Sequence, residues 1–166
     1  RGEGAASILR SQIDEISRNV ARGIGLPPLK IERAQPKVAE ITTGSIEAYN
    51  LYLRGRDLQE RFFAAEARKT LEKSVALDPE FAAAWLVLSD ACNELSDRKA
   101  RDEALEKAKQ FSDRATEKDR LRIEARYAWR IEHNPEKRLL SLLELAEKYP
   151  ADKYAHSDLG YYYQSG

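Results

Sequence analysis

The positions of proline and glycine constrain this chain more than any other feature. From Ser45 onward the sequence has only three prolines, at 79, 135 and 150, and its glycines are at 55, 160 and 166. Long stretches without these two residues favour helices, which tolerate proline and glycine poorly. Ala, Glu, Lys, Leu and Arg make up 88 of the 166 residues, a composition typical of helical proteins. No segment has the alternating pattern of a strand, so the sequence predicts an all-α fold.

Capping residues predict where the helices begin. Ser45 is expected to start a helix, and Asp78 with Pro79 is expected to end one helix and start the next. Thr116 and Asp119 have the spacing of a capping box, and Asn134 before Pro135 repeats the cap and first-turn proline. A last helix is expected to begin near residue 152.

The first 44 residues divide into two segments. Residues 1–25 contain one apolar stripe, formed by Leu9, Ile13, Ile16 and Val20, which predicts an amphipathic helix. Residues 26–44 contain three prolines and no such stripe, so we interpret them as a linker. The helical array then covers residues 45–166. The expected organisation is an extra N-terminal helix, which could be the end of a further domain, followed by the linker and the array.

The array repeats with a period near 34 residues. The small residues Gly55 and Ser89 are 34 positions apart, and Gly160 lies three periods and three extra residues after Gly55. We place all three extra residues between Ser89 and Ala104, which gives repeats at 46–79, 80–116 and 117–150 and a half repeat at 151–166. On this alignment Arg126 replaces the small residue of the third repeat. At Gly55, Ser89 and Gly160 two helices are expected to approach closely.

The period and its residues resemble the tetratricopeptide repeat (TPR) family. The family's bulky, small and terminal proline positions are matched in the first repeat by Leu51, Gly55, Leu58, Ala67, Leu71 and Pro79, and in later repeats by Trp85, Leu88, Ser89, Leu159, Gly160 and Tyr163. The resemblance implies a right-handed superhelical array of antiparallel helix pairs with a concave inner face. More weakly, residues 12–26 and 48–55 resemble the TPR region that follows a TolB-like domain in bacterial multidomain signalling proteins.

The TPR resemblance also implies which residues face the groove. In that family the second, fifth, ninth and twelfth positions of each repeat line the concave side. Tyrosine and arginine are common at these positions here, and both are favoured in protein interfaces. The groove candidates are Tyr49, Tyr52, Arg56, Asp90, Asn93, Tyr127, Arg130, Tyr154 and Tyr161.

The sequence contains no pattern typical of a catalytic, cofactor or metal site. Its two histidines and its single cysteine, Cys92, have no shared ligand spacing, and its glycines form no phosphate loop. We interpret Cys92, Trp85 and Trp129 as core residues. Lys and Arg equal Asp and Glu at 28 each, which argues against a nucleic-acid partner, and no apolar run approaches the roughly 20 residues of a membrane helix.

These observations predict a non-enzymatic scaffold, without metal or cofactor, that binds a protein or peptide segment in its groove. The alternative is a regulatory or oligomerisation segment of a bacterial signalling protein carrying an adenylate cyclase, protein kinase or winged-helix module. The helix from residue 152 also has an apolar face, formed by Ala155, Leu159, Tyr162 and Tyr163, and no helix after it to cover that face. We therefore expect a homodimer through this helix.

Overall fold

The computed structural model describes residues 42–165, with side chains to residue 164, and this part of the chain is all-helical. The predicted all-α class is therefore confirmed for these residues. The predicted helix at 1–25 and most of the 26–44 linker lie outside them. The helices are α1 (Ile46–Glu60), α2 (Ala64–Leu77), α3 (Ala82–Glu94), α4 (Arg98–Gln110), α5 (Glu117–Arg130), α6 (Pro135–Lys148) and α7 (Lys153–Ser165), with a 3₁₀ turn at Ser112–Arg114.

Three of the predicted caps form as expected. The side chain of Ser45 accepts a hydrogen bond from the Ala48 amide, and the side chain of Thr116 accepts one from the Asp119 amide. The Asn134 side chain likewise accepts from the amide of Lys137, with Pro135 in the first turn of α6. These caps satisfy backbone N–H groups that the first turn of a helix leaves without partners.

The predicted start of α3 at Pro79 is wrong. The Asp78 carboxylate accepts a hydrogen bond from the Glu80 amide, two residues on, and so forms a turn instead of a cap. The helix begins at Ala82, after Phe81, which is only 1% exposed. The three-residue turn lets the Phe81 ring enter the core beside Tyr52, with 5.0 Å between the ring centroids.

Consecutive helices pack against each other, and three buried clusters follow one another along the chain. The first is formed by residues of the four helices α1 to α4 and of the turn before α3, and it includes Leu71, Phe81 and Leu88. The half-buried Trp85 joins it to the second, and the indole N–H of Trp85 donates to the Pro79 carbonyl over 2.8 Å. The third cluster consists of Leu121, Leu145 and Ala155. Ala155 is thus fully buried, and its predicted place on an uncovered face of α7 is wrong.

The expected close approach at small residues is confirmed at Gly55 and wrong at Gly160. A Cβ atom at Gly55 would lie 2.5 Å from Cγ of Leu71, so no larger residue fits without a shift. A Cβ atom at Gly160 would meet nothing within 4 Å in the described part of the chain. Glycine is therefore sterically required in α1, while nothing described around α7 requires it.

The predicted alignment of the third repeat is wrong by one residue. Ala125, which is 3% exposed, occupies the small position that Gly55 and Ser89 occupy in the earlier repeats. A buried leucine follows each small residue in the next helix. It is Leu71 after Gly55, Leu105 after Ser89 and Leu142 after Ala125, at spacings of 16, 16 and 17 residues. Two of the three extra residues therefore lie before α5, beside the 3₁₀ turn, and one lies between α5 and α6, where His133 has a φ of 52°.

Candidate binding cleft

Alternate helices of the described chain line a cleft of about 470 Å³. Its walls come from α1, α3, α5 and α7, and Leu105, Leu142 and Leu145 contribute from α4 and α6. Most of the predicted groove residues line this cleft: Tyr52, Arg56, Asp90, Asn93, Arg130, Tyr154 and Tyr161. The helices that were expected to form the concave face therefore bring these side chains together.

Two predicted groove residues, Tyr49 and Tyr127, do not line the cleft. Tyr49 packs against the first buried cluster, with its ring 6.1 Å from that of Tyr52. Tyr127 packs against the second cluster, and Lys109 Nζ lies 5.9 Å from its ring centroid. The corrected alignment of α5 explains why Tyr127 does not line the cleft. The residue before it, Arg126, takes the position that faces the cleft.

Tyr52 lines the cleft but belongs mainly to the core. It is 7% exposed and its ring contacts Phe81. The Arg56 guanidinium lies 5.6 Å from the centroid of the same ring. Burial, with a smaller contribution from Asp119, raises the pKa of Tyr52 to about 12. We infer that Tyr52 supports the cleft wall and that Arg56 presents the polar group there.

A chain of opposite charges crosses the middle of the cleft. Arg126 of α5 lies 3.4 Å from the Asp90 carboxylate of α3 and 3.1 Å from the Asp158 carboxylate of α7. Burial lowers the pKa of Arg126, but these two carboxylates outweigh it and the net pKa is raised. Burial raises the pKa of Asp90 although Arg126 opposes this. One cation therefore lies between two carboxylates at the centre, and these ion pairs tie α3, α5 and α7 together.

A second charged cluster fixes the start of α7. The Asp152 side chain is 1% exposed and lies 2.8 Å from Lys118 Nζ, and it also accepts from the Arg122 guanidinium. The same carboxylate accepts from the amides of Tyr154 and Ala155 at 3.0 Å each, so it caps α7. The Arg122 guanidinium in turn lies 4.7 Å from the ring centroid of Tyr154 in the cleft.

The first and last described helices meet at one side of the cleft. Glu60, the last residue of α1, accepts a hydrogen bond from the Tyr154 hydroxyl at 3.1 Å. Its other carboxylate oxygen lies 3.1 Å from Lys153 Nζ. Burial raises the pKa of Glu60, and the bonds from Lys153 and Tyr154 outweigh it, so the net pKa is lowered. The cleft is therefore bounded on this side by a contact between α1 and α7.

Aromatic and arginine side chains form the other side. Trp129 was expected in the core, but it is half-buried and lines the cleft. Its ring centroid lies 3.5 Å from the Arg130 guanidinium carbon, 4.1 Å from that of Arg138, and 5.5 Å from the Tyr161 ring. A smaller pocket of about 260 Å³ adjoins the cleft here, lined by Arg98, Arg101, Trp129, Arg130 and His133.

Sequence reasoning missed four central residues of this cleft: Trp129, Arg126, Arg122 and Asp158. The first three lie on α5, whose register was displaced by one residue, so Tyr127 and Arg130 were named instead of Arg126 and Trp129. A signal was present in the sequence, because Leu121, Ala125 and Ala128 repeat the bulky and small spacing of Trp85, Ser89 and Cys92. Asp158 was missed because it is not at the second, fifth, ninth or twelfth position of its repeat, and only these positions were used for the prediction.

The described residues contain no group of three or more His, Cys, Asp or Glu side chains arranged to hold a metal ion. The Cys92 thiol is buried in the first cluster, and burial raises its pKa. His156 lies 2.8 Å from the Pro150 carbonyl through Nε2. Within residues 42–165, no helix is both long and apolar enough to cross a membrane. The sequence matches no protein-family model, and no curated protein shows significant similarity to it.

Proposed function

We propose that this protein is a helical-repeat scaffold of the TPR type that binds a protein or peptide segment in the cleft and has no catalytic chemistry of its own. The observation that carries the proposal is the cleft itself, to which four successive alternate helices contribute. Side-chain positions recur along these helices at intervals of 34, 36 and 35 residues, from Gly55 through Ser89 and Ala125 to Gly160. Such a recurrence is typical of stacked helix pairs.

The lining of the cleft suits an extended segment of polypeptide. The lining includes the aromatic rings of Trp129, Tyr154 and Tyr161 and the aliphatic side chains of Leu86 and Leu105. Aromatic residues and arginine bury large areas with little loss of side-chain entropy, which is why they dominate binding energy at interfaces. Tyr161 is 52% exposed and available for contact, whereas Tyr52 is already used in the core.

Tyr161→Ala is expected to weaken binding by about tenfold or more, because an exposed aromatic side chain in the cleft is removed. Ligands would be selected from a displayed library of random peptides against the wild-type protein. The affinity of each selected peptide would then be measured by titration against the variant. Folding should be largely unchanged, since the side chain is half exposed.

Tyr163→Ala is the matched control for this experiment. Tyr163 lies on the same helix, is 66% exposed and does not line the cleft. Its replacement should leave the affinity of the selected peptides within about twofold of wild type. If the selected peptides bind Tyr161→Ala and Tyr163→Ala with the same affinity as the wild-type protein, the binding surface lies outside the cleft. That result would count against the proposal.

Exposed apolar residues favour a second candidate function, the oligomerisation or regulatory segment of a larger protein. Leu140 and Leu143 of α6 are 68% and 44% exposed, and Tyr163 of α7 is 66% exposed. Contiguous exposed apolar patches often mark association surfaces, and these side chains lie on two helices that pack against each other. We propose that two copies of the chain associate through α6 and α7.

Replacing both Leu140 and Tyr163 by glutamate should convert a dimer into a monomer, because charge would be buried in the interface. Light scattering across the micromolar concentration range measures the mass. Leu77→Glu, at a site on α2 that is 46% exposed, is the control and should leave the dimer intact. A wild-type chain that is monomeric at every concentration would contradict self-association.

A further inference from the structure

We propose that the smaller pocket beside Trp129 binds the carboxylate of an acidic residue in the bound peptide. This inference rests on the proposed function, since it assigns the ligand chemistry of one end of the same cleft. We call the site the arginine pocket, and it is lined by Arg98, Arg101, Trp129, Arg130 and His133.

The arginine pocket has positive charge that the described residues do not balance. Its lining includes three arginines and a histidine and no acidic side chain. Arg101 is paired with Asp102 at 2.7 Å. Within the described chain, Arg98 and Arg130 have no carboxylate within 4 Å. By contrast, Arg126 at the cleft centre has two carboxylates within that distance. A ligand carboxylate would supply the missing negative charge.

The geometry of Arg130 leaves it able to receive such a ligand. Its guanidinium carbon lies 3.5 Å from the Trp129 ring centroid, so it stacks against the indole. A stacked guanidinium keeps the N–H groups at its edge free, and these match the two oxygens of a carboxylate. Burial, and then the positive charges of Arg101 and Arg126, lower the pKa of Arg130, so a nearby anion would stabilise this guanidinium.

The connection to the cleft identifies the anion as part of a peptide. Arg101, Trp129 and Arg130 line both the cleft and the arginine pocket. A chain that lies along the aromatic rings of the cleft therefore passes the opening of the pocket, where a Glu or Asp side chain would reach the guanidinium groups. An isolated inorganic anion would occupy the pocket alone and would make no contact with the aromatic rings further along the cleft, such as Tyr154.

The experiment compares three pools of short, terminally blocked peptides that are identical except at one central residue. That residue is Glu, its uncharged isostere Gln, or phosphoserine, and the flanking positions are mixtures of Leu, Tyr and Ala. Affinity is measured by fluorescence anisotropy of the labelled pools. The Glu pool should bind about tenfold or more tightly than the Gln pool, because each hydrogen bond to a charged group adds substantially to affinity.

Variants then assign the difference to the pocket. Arg130→Gln should abolish the preference for Glu over Gln, and Arg130→Lys should restore only part of it because lysine lacks the planar fork. Arg120→Gln is the matched control, since Arg120 is exposed on the same helix and does not line either cavity. It removes the same charge and should keep the preference. Thermal melting confirms that each variant is folded.

Each remaining outcome would overturn the proposal in a distinguishable way. Equal affinity of the wild-type protein for the Glu and Gln pools would reject the carboxylate site and leave peptide binding in place. Binding of the phosphoserine pool without binding of the Glu pool would reject a carboxylate in favour of a phosphate. Failure of all three pools to bind would reject peptide binding in the cleft, and the arginine pocket with it.

Discussion

Replacing Asp152 by alanine is expected to lower the free energy of unfolding by about 2–3 kcal/mol in total. The Asp152 carboxylate is 1% exposed, but the side chains of its partners Lys118 and Arg122 are 38% and 21% exposed, so losing these charged hydrogen bonds costs about 1.5–2 kcal/mol. The same change removes the cap of α7, which is worth about 1 kcal/mol. Urea unfolding followed by circular dichroism measures the total.

Asp152→Asn separates the two contributions. Asparagine can accept from the Tyr154 and Ala155 amides and keeps the cap, but it carries no charge for Lys118 and Arg122. The asparagine variant should therefore be more stable than the alanine variant by about 1 kcal/mol and less stable than wild type. Two variants that unfold together with the wild-type protein would show that this carboxylate does not anchor α7.

The contribution of Asp152 should also depend on pH. Burial raises the pKa of its carboxyl group, but Lys118, the Ala155 amide and Arg122 outweigh burial, so the net pKa is lowered in the folded protein. A lowered folded pKa gives stability that is fully present above the unfolded pKa of about 3.9. That stability is lost as the pH falls through the folded pKa. Acid titrations of stability should therefore be shallower for Asp152→Asn than for wild type.

Capping residues predicted the starts of most helices correctly. The start of α3, which was predicted wrongly at Pro79, shows when such local signals suffice. The caps at Ser45, Thr116 and Asn134 involve atoms within three residues, so the sequence contains the whole interaction. Asp78 has two such local options, a cap or a turn, and residues far away decide between them. Burial of the Phe81 ring beside Tyr52 requires the turn, and this contact joins positions 29 residues apart.

The register of α5 could not be predicted from the repeat period alone. The period shows three extra residues between Gly55 and Gly160 but does not show which turn contains them. Surface turns accept an added residue at little cost in free energy, so nothing in the sequence marks the turn that contains it. Burial of Ala125, rather than Arg126, decides the register. Because of the displaced alignment, Tyr127 was predicted to face the groove in place of Arg126. The candidates on α1, α3 and α7 mostly line the cleft.

The charge clusters of the cleft are the part that sequence reasoning missed most completely. Arg126 meets Asp90 and Asp158, which are 36 and 32 residues away along the chain. With equal numbers of acidic and basic residues spread along the sequence, composition does not indicate which charges pair. Only the stacking of α3, α5 and α7 brings these three together and leaves Arg98 and Arg130 without carboxylates among the described residues.

Gly55→Ala is expected to destabilise the protein by about 1–3 kcal/mol, although the same change in an open helix stabilises it by about 1 kcal/mol. The added methyl group would lie 2.5 Å from Cγ and 2.7 Å from Cδ2 of Leu71. Leu71 is fully buried in the first cluster, and a shift of a side chain within a densely packed core is costly. Gly55→Leu should cost more, because its longer side chain must displace α2. The midpoint of thermal unfolding measures both changes.

Gly160→Ala provides the opposite expectation in the same protein. Gly160 is also inside a helix, but a Cβ atom there meets nothing within 4 Å among residues that the structure describes. This variant should gain up to about 1 kcal/mol from helix propensity alone. In a Leu71→Ala background, which opens a cavity, Gly55→Ala should become neutral or stabilising, because the two side chains share one space. Equal effects of alanine at positions 55 and 160, or an unchanged cost of Gly55→Ala in the Leu71→Ala background, would show that contact with Leu71 is not what requires glycine in α1.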